Sequence, residues 1–97
     1  MWAWGYNDQG RLGDGTQTNR FAPVQVSGLS GVKAIAALQD HNLALKDDGT
    51  VWAWGFNLYG QLGDGTTTNR FTPVQVSGLS GVQSIAAGWA HSMAIAP

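Results

Sequence analysis

An all-β chain made of a repeated four-stranded unit is predicted by three observations. The segment 2–45 recurs as 52–95 at a fixed offset, and about 30 of the 47 aligned pairs are identical. Short apolar segments are bounded by clusters of glycine, proline, asparagine and aspartate. No segment carries a helical apolar period with caps. Repeat one is 1–50 and repeat two is 51–97, a two-repeat array over 1–97.

Each repeat reads as four strands in order. A strand over 24–26 follows Pro23, since proline is tolerated at the first residue of a strand. The turn cluster Ser27-Gly28-Leu29-Ser30-Gly31 leads into a second strand over 32–37. The third covers 41–46. Asp47-Asp48-Gly49-Thr50 closes a tight hairpin, Asp-Gly being a strong hairpin signal, and the fourth strand covers 51–55. Blade one is therefore expected over 23–55. Blade two, 73–95, has three strands, and 2–5 is a spare copy of the fourth.

Side-chain alternation says how such sheets pack. Trp52 and Trp54 share one face of their strand and Ala53 takes the other; Leu43 and Leu45 share a face opposite Ala44. Large residues on one face and alanine on the other suit small sheets stacked face to face. A β-propeller offers that geometry. A two-sheet sandwich would explain the strands but not the repeat. Two repeats are fewer than such architectures need for independent stability.

Composition removes several function classes. The 97 residues carry net charge −1, fourteen glycines, no cysteine and no glutamate. Disulfide and thiolate chemistry are excluded. The five cations, Arg11, Arg20, Lys33, Lys46 and Arg70, are scattered rather than gathered on a basic stripe, which argues against nucleic acid as a partner. No signal peptide, long apolar run or N-x-[ST] site is present, so no membrane partner is expected and the compartment is unspecified.

Three motifs identify a family resemblance. Gly55-Phe56-Asn57-Leu58-Tyr59-Gly60-Gln61-Leu62-Gly63-Asp64-Gly65 resembles the G-x-N-x-x-G-Q-L-G-x-G signature of the regulator of chromosome condensation repeat family. Segment 5–15 matches it with Arg11 where glutamine is usual. Ala86-Ala87-Gly88-Trp89-Ala90-His91-Ser92-Met93-Ala94-Ile95 is similar to the family's A-A-G-x-x-H-S-x-A-L segment, and 48–55 to its D-G-x-V-W-x-W-G hairpin. Leu38 and Asn42 stand where the family usually has glycine and serine. The resemblance implies propeller blades, usually seven per ring, and a fragment or engineered piece of a longer array. It also implies, by analogy alone, guanine-nucleotide exchange and chromatin binding. No insertion interrupts the repeat spacing to serve as an exchange wedge, and the balanced charge does not suit phosphate. Gly88-Trp89-Ala90-His91-Ser92 is similar to the G-W-R-H-T motif of an ultraviolet-B photoreceptor of this fold, with Ala90 in place of the arginine.

No catalytic constellation is legible, so no enzyme activity and no cofactor are expected. His41 and His91 occupy the same place in the two repeats, far from any cysteine or glutamate; they read as structural imidazoles bonded to backbone rather than as metal ligands. The Gly-Asp-Gly-Thr segments at Gly13 and Gly63 precede no helix and no Lys-Ser or Lys-Thr pair, and read as turns needing positive φ. Asp47 and Asp48 sit side by side in one turn rather than across a cleft. Ser27, Ser30, Ser84 and Ser92 lack a nucleophile elbow.

Two functional expectations remain. The copies differ most at loops that strand alternation places on one face: Asp8, Gln9, Leu38, Gln39 and Asp40 in one, Leu58, Tyr59, Gly88, Trp89 and Ala90 in the other. Asp8, Gln9, Gln39, Asp40, Leu58, Tyr59 and Trp89 are the candidate ligand- or protein-binding face; neutral drift in permissive loops is the simpler origin of such variation. The primary expectation is an assembly module. Strand 2–5 of one chain pairs with 91–95 of the next, through Trp2, Trp4, His91, Met93 and Ile95, and head-to-tail contacts close a ring. With two blades per chain, a homo-tetramer of eight blades is favoured over a trimer of six.

Overall fold

The computed structural model describes every residue except Leu38, Trp89 and Pro97. Eight strands follow one another: β1 (Trp2–Gly5), β2 (Arg20–Gln25), β3 (Val32–Ala37), β4 (His41–Lys46), β5 (Val51–Gly55), β6 (Arg70–Gln75), β7 (Ser84–Ala87) and β8 (Ser92–Ile95). A single 3-10 turn, Asp8–Gly10, follows β1. The strands make three antiparallel sheets, β1-β2, β3-β4-β5-β6 and β7-β8.

The blade is thus not the segment 23–55. Its fourth strand is β6, and the strand carrying Pro23 belongs to the sheet before it, against β1 with Trp2 opposite Gln25 and Ala3 opposite Val24. The proposed second blade, 73–95 plus a strand 2–5, is displaced in the same way: β7-β8 is its inner half, and the strand carrying Pro73 closes the blade before it. The reason lies in two connections of opposite character. The long loop 6–19 folds on itself and turns the chain back along the same sheet. The short stretch 26–31 instead buries Val26 and Leu29 and crosses to the next sheet. The proline strand also starts earlier, at Arg20; as an outer edge strand it tolerates an internal proline, whose missing N–H costs no ladder bond.

The two middle strands of the central blade, β4 and β5, are buried on both faces. Leu43, Leu45, Val51 and Ala53 pack with Leu62 and Val82 on one side. Ala44 and Trp54 pack with Val26 and Leu29 on the other. Register explains the fit, because Leu43 stands opposite Ala53 and Ala44 opposite Trp52, so each layer sets a large side chain beside a small one. Trp54 is 1 % exposed. Trp52 is only half-buried, with Lys46 Nζ 5.3 Å from its ring centroid.

Gly55 marks where β5 leaves the blade. Its φ is 108°, and a Cβ there would lie 3.0 Å from His41 Cα, so no larger residue fits between β5 and the β3–β4 turn.

Trp54→Ala should lower unfolding free energy by about 3–5 kcal/mol, the range for emptying an aromatic core site. A urea titration showing a loss below about 1 kcal/mol would remove Trp54 from the core.

Candidate functional site

The loops after β1 and β5 are each organised by one asparagine. Asn7 is fully buried. Its Nδ2 donates to the carbonyls of Thr16 and Thr18, both at 3.0 Å, and to Asp14 Oδ1 at 3.2 Å, while its Oδ1 accepts from Leu12 N–H at 2.8 Å. Asn57 repeats the pattern with Thr66, Thr68, Asp64 and Leu62. Thr16 and Arg20 close on Asp14, as Thr66 and Arg70 close on Asp64, the arginine Nε lying 2.9 and 2.8 Å from the carboxylates. Burial alone would raise both carboxyls. Hydrogen bonds from threonine, arginine and asparagine outweigh it and hold Asp14 and Asp64 at about 2. The Gly-Asp-Gly-Thr segments are therefore turns, with Gly13 and Gly63 at φ 73° and 71°, and their aspartates are internal ligands of the loop.

These loops deliver backbone acceptors to the junction between stacked sheets. Trp54 Nε1 donates to the Arg11 carbonyl at 3.0 Å. Asn42 Nδ2 donates to the same oxygen. At the equivalent place in the next sheet, Ser92 Oγ donates to the Gln61 carbonyl at 2.6 Å. Asn42 and Ser92 thus do one job with different chemistry, which accounts for Asn42 at a position where serine is usual.

His41 connects the two sheets. Its ring is buried, and Nε2 lies 3.0 Å from Ser92 Oγ. Because the hydroxyl proton goes to Gln61, Nε2 carries the hydrogen and donates, leaving Nδ1 as a buried acceptor with no partner among the described residues. The neighbouring sheet adds a side chain, Ser92, to the His91 backbone among the ring's polar surroundings. Burial lowers the His41 pKa, an effect opposed by the His91 backbone and Asp40 and reinforced by the His91 charge. Among the described residues, no group of three or more potential metal ligands is gathered.

The Phe56 N–H donates to the Asp40 carbonyl at 2.8 Å, which sets the start of the loop after β5 beside the β3–β4 turn. Arg11 gathers the first set of varied-loop residues. Its guanidinium donates to the carbonyls of Gln39 and Asp8, pairs with Asp40 at 3.1 Å and lies 4.8 Å from the Tyr6 ring centroid. Gln9 sits beside this group at φ 61°, its N–H donating to Gln17 Oε1 at 3.3 Å. Leu58 and Tyr59 project from the second loop, Tyr59 71 % exposed and edge-on to Phe56 with centroids 6.2 Å apart. Trp89 lies outside the described residues. Trp2, Trp4, His91, Met93 and Ile95, the residues expected to mediate assembly, are all exposed in the single chain. In the sequence Arg11 stands out only as a departure from the family glutamine and one of five scattered cations, yet a signal of its role is present: charge appears at 11 and 40 together in one copy, and at neither Gln61 nor Ala90 in the other.

Comparison with known proteins agrees with this geometry. The model of the Regulator of chromosome condensation (RCC1) repeat matches residues 1–45 and 48–95, and a second RCC1 repeat model matches 32–61. The zebrafish (Danio rerio) Protein RCC2 homolog is 42% identical over 53 residues, 53% of this chain and 11% of that protein. The Ultraviolet-B receptor UVR8 of Arabidopsis thaliana is 38% identical over 53 residues, 53% of this chain and 12% of the receptor. Human WBSCR16 superposes with a TM-score of 0.87 at 28% identity, over 98% of this chain and 25% of that one. Yeast RCC1 (Prp20), solved bound to Kap60, gives 0.73 at 30% identity, over 98% and 23%. The chain spans a quarter or less of the length of each of these proteins.

Two outcomes are expected. Asn57→Ala should cost at least about 2 kcal/mol, because it strips a buried hub from several donors and acceptors at once. Because the folded-state pKa of His41 lies below its unfolded value, the unfolded chain takes up the proton first. Stability should fall as pH drops below about 6.5, and His41→Gln should flatten that slope in urea titrations at pH 7.5 and 5.5.

Proposed function

Since the chain belongs to the regulator of chromosome condensation (RCC1) repeat family, we propose that it is a non-catalytic assembly module. Copies join head to tail by strand exchange into a closed propeller whose loop face is free to bind protein. One observation carries this: the two half-sheets add up to one blade. The sheet β3-β4-β5-β6 fixes the strand order, and β7-β8 followed by β1-β2 of another copy reproduces it. The pairing of β4 with β5, His41 opposite Gly55 and Leu43 opposite Ala53, transposes to His91 with Gly5 and Met93 with Ala3 of the neighbour. In a longer array the next repeat of the same polypeptide would meet the same edges.

The neighbour thus contributes 2–25, the whole β1-β2 hairpin, and not strand 2–5 alone. Two blades per chain give an even ring. Eight blades need about 45° per blade and six about 60°, against about 51° for seven. The tetramer asks the smaller adjustment and is the favoured ring, with the trimer second.

A second role concerns the loop face. Leu58 and Tyr59 are exposed beside the polar group around Arg11, a mixture suited to protein recognition. Related propellers bind proteins: yeast Prp20p has been characterised for binding to Gsp1p and histones. Nucleotide exchange has only family analogy behind it.

Light scattering at micromolar concentration should give a discrete multiple of the chain mass of 10.2 kDa. Deleting residues 1–5 should leave monomers; an assembly that survives the deletion would show that β1 is not the exchanged strand.

A further inference from the structure

We propose that the cleft between the loop after β5 and β8 is a socket for Trp4 of a neighbouring copy, and that Phe21 of the same copy seats on Gly60. This rests on the strand-exchange reading above and names the contacts that give it affinity and direction.

The cleft has a volume of about 300 Å³, and its lining includes Gln61, Gly63, Val76, Leu79, Ser92 and Ala94. Fifty positions earlier, the equivalent residues Arg11, Gly13, Val26, Leu29, Asn42 and Ala44 surround Trp54. Glycine reports the difference. A Cβ on Gly13 would lie 2.8 Å from Trp54 Nε1 and 3.0 Å from Val26; a Cβ on Gly63 meets Val76 at 3.0 Å and, among the described residues, no tryptophan. The ring that fills the internal junction has its counterpart in Trp4, which is 62 % exposed. Seated as Trp54 is seated, Trp4 would donate its Nε1–H to the Gln61 carbonyl, which has Ser92 as its other donor. The Arg11 carbonyl already accepts such a pair, from Trp54 and Asn42.

A second contact is templated independently. Phe71 lies across Gly10, where a Cβ would come within 2.7 Å of Phe71 Cα, and the Gly15 N–H donates to the Phe71 carbonyl at 2.8 Å. The counterparts are open: among the described residues nothing stands within 4 Å of a Cβ on Gly60 or Gly65, and Phe21 is 99 % exposed. Phe21 on Gly60, with its carbonyl accepting from Gly65, repeats the internal arrangement. The proposed occupant is a second copy of this chain, because its β1-β2 hairpin offers tryptophan, phenylalanine and a free strand edge in that spacing.

The test uses full-length chains in an ultracentrifugation dilution series, with circular dichroism to confirm folding. Trp4→Ala and Phe21→Ala alter residues that are exposed in the single chain, so its fold should persist. Trp4→Ala should raise the dissociation concentration at least about a hundredfold, and Phe21→Ala about tenfold. Ala94→Trp blocks the socket from inside and should have the same effect as Trp4→Ala. Mixed, the Trp4→Ala and Ala94→Trp chains have one intact socket and one intact anchor between them, and should form a two-chain species and nothing larger. Wild-type mass for both variants alone, or no pair on mixing, would overturn the socket while leaving strand exchange standing. A wild-type chain that is monomeric throughout the series would overturn strand exchange itself.

Discussion

The junction between stacked sheets, with Trp54 at its centre, is the constraint on which the other features depend. A four-stranded sheet of this size cannot hide two apolar faces by itself, so each face must find a neighbour. Trp54 does this by lying over Ala44 and against Val26 and Leu29. Its indole N–H would be a costly orphan in that position, and the Arg11 carbonyl satisfies it. Delivering that carbonyl is the task of the loop after β1, and the loop holds its shape only because Asn7 answers several backbone groups from inside it. Gly13 follows from the same requirement, since the indole passes where its Cβ would stand. One aromatic contact thus fixes an asparagine, a glycine and a backbone oxygen of the first repeat.

The sequence made the all-β class, the repeat and three of the four strand positions legible, because apolar alternation and the Asp-Gly turn act locally. Trp54 facing away from Ala53 was readable from period-2 alternation alone. Which strands share a sheet was not readable, because connection length misleads here. The fourteen residues of 6–19 look like a crossover between sheets. They form a hairpin loop because Asn7, Asp14 and Thr16 fold it inward through contacts that follow no sequence period. The stretch 26–31 looks like a hairpin turn, yet Val26 and Leu29 plug into the junction. On the candidate face, exposure of Leu58 and Tyr59 follows from their place in a loop. The capture of Gln39 and Asp40 by Arg11 depends on a through-space approach that sequence spacing does not encode.

The two copies show which parts of the junction are free to vary. Asn42 and Ser92 both end on a loop carbonyl, so the position requires a donor of suitable reach rather than a given residue. Arg11 and Gln61 present the same backbone oxygen while their side chains part company. Arg11 spans to the β3–β4 turn, whereas Gln61 turns back to accept from the Tyr59 N–H at 2.9 Å. Side-chain identity is therefore released at the loop face, while at position 42 and its counterpart 92 in the junction beneath it only the hydrogen-bond donor is held. A propeller can vary its binding surface without loosening its core, which is how one scaffold accommodates different partners.

If the inter-copy junction repeats the internal one, closure follows from counting ends. Any open string of copies leaves one tryptophan anchor and one socket unfilled, whatever its length. Joining them adds a full junction with little further loss of translational freedom, because the ends are already tethered at high effective concentration. A ring therefore prevails over a filament once its angular strain is smaller than one junction's worth of contact. For small deviations strain grows roughly as the square of the angle. From a relaxed angle of about 51.4° per blade, a tetramer departs by about 6.4° at eight junctions and a trimer by about 8.6° at six. The summed squares favour the tetramer by a factor of roughly 1.3, even though it spreads its strain over more junctions. Mass action works the other way, since three chains are easier to gather than four. Lower concentration therefore shifts the balance towards the smaller ring, and higher concentration towards the less strained one.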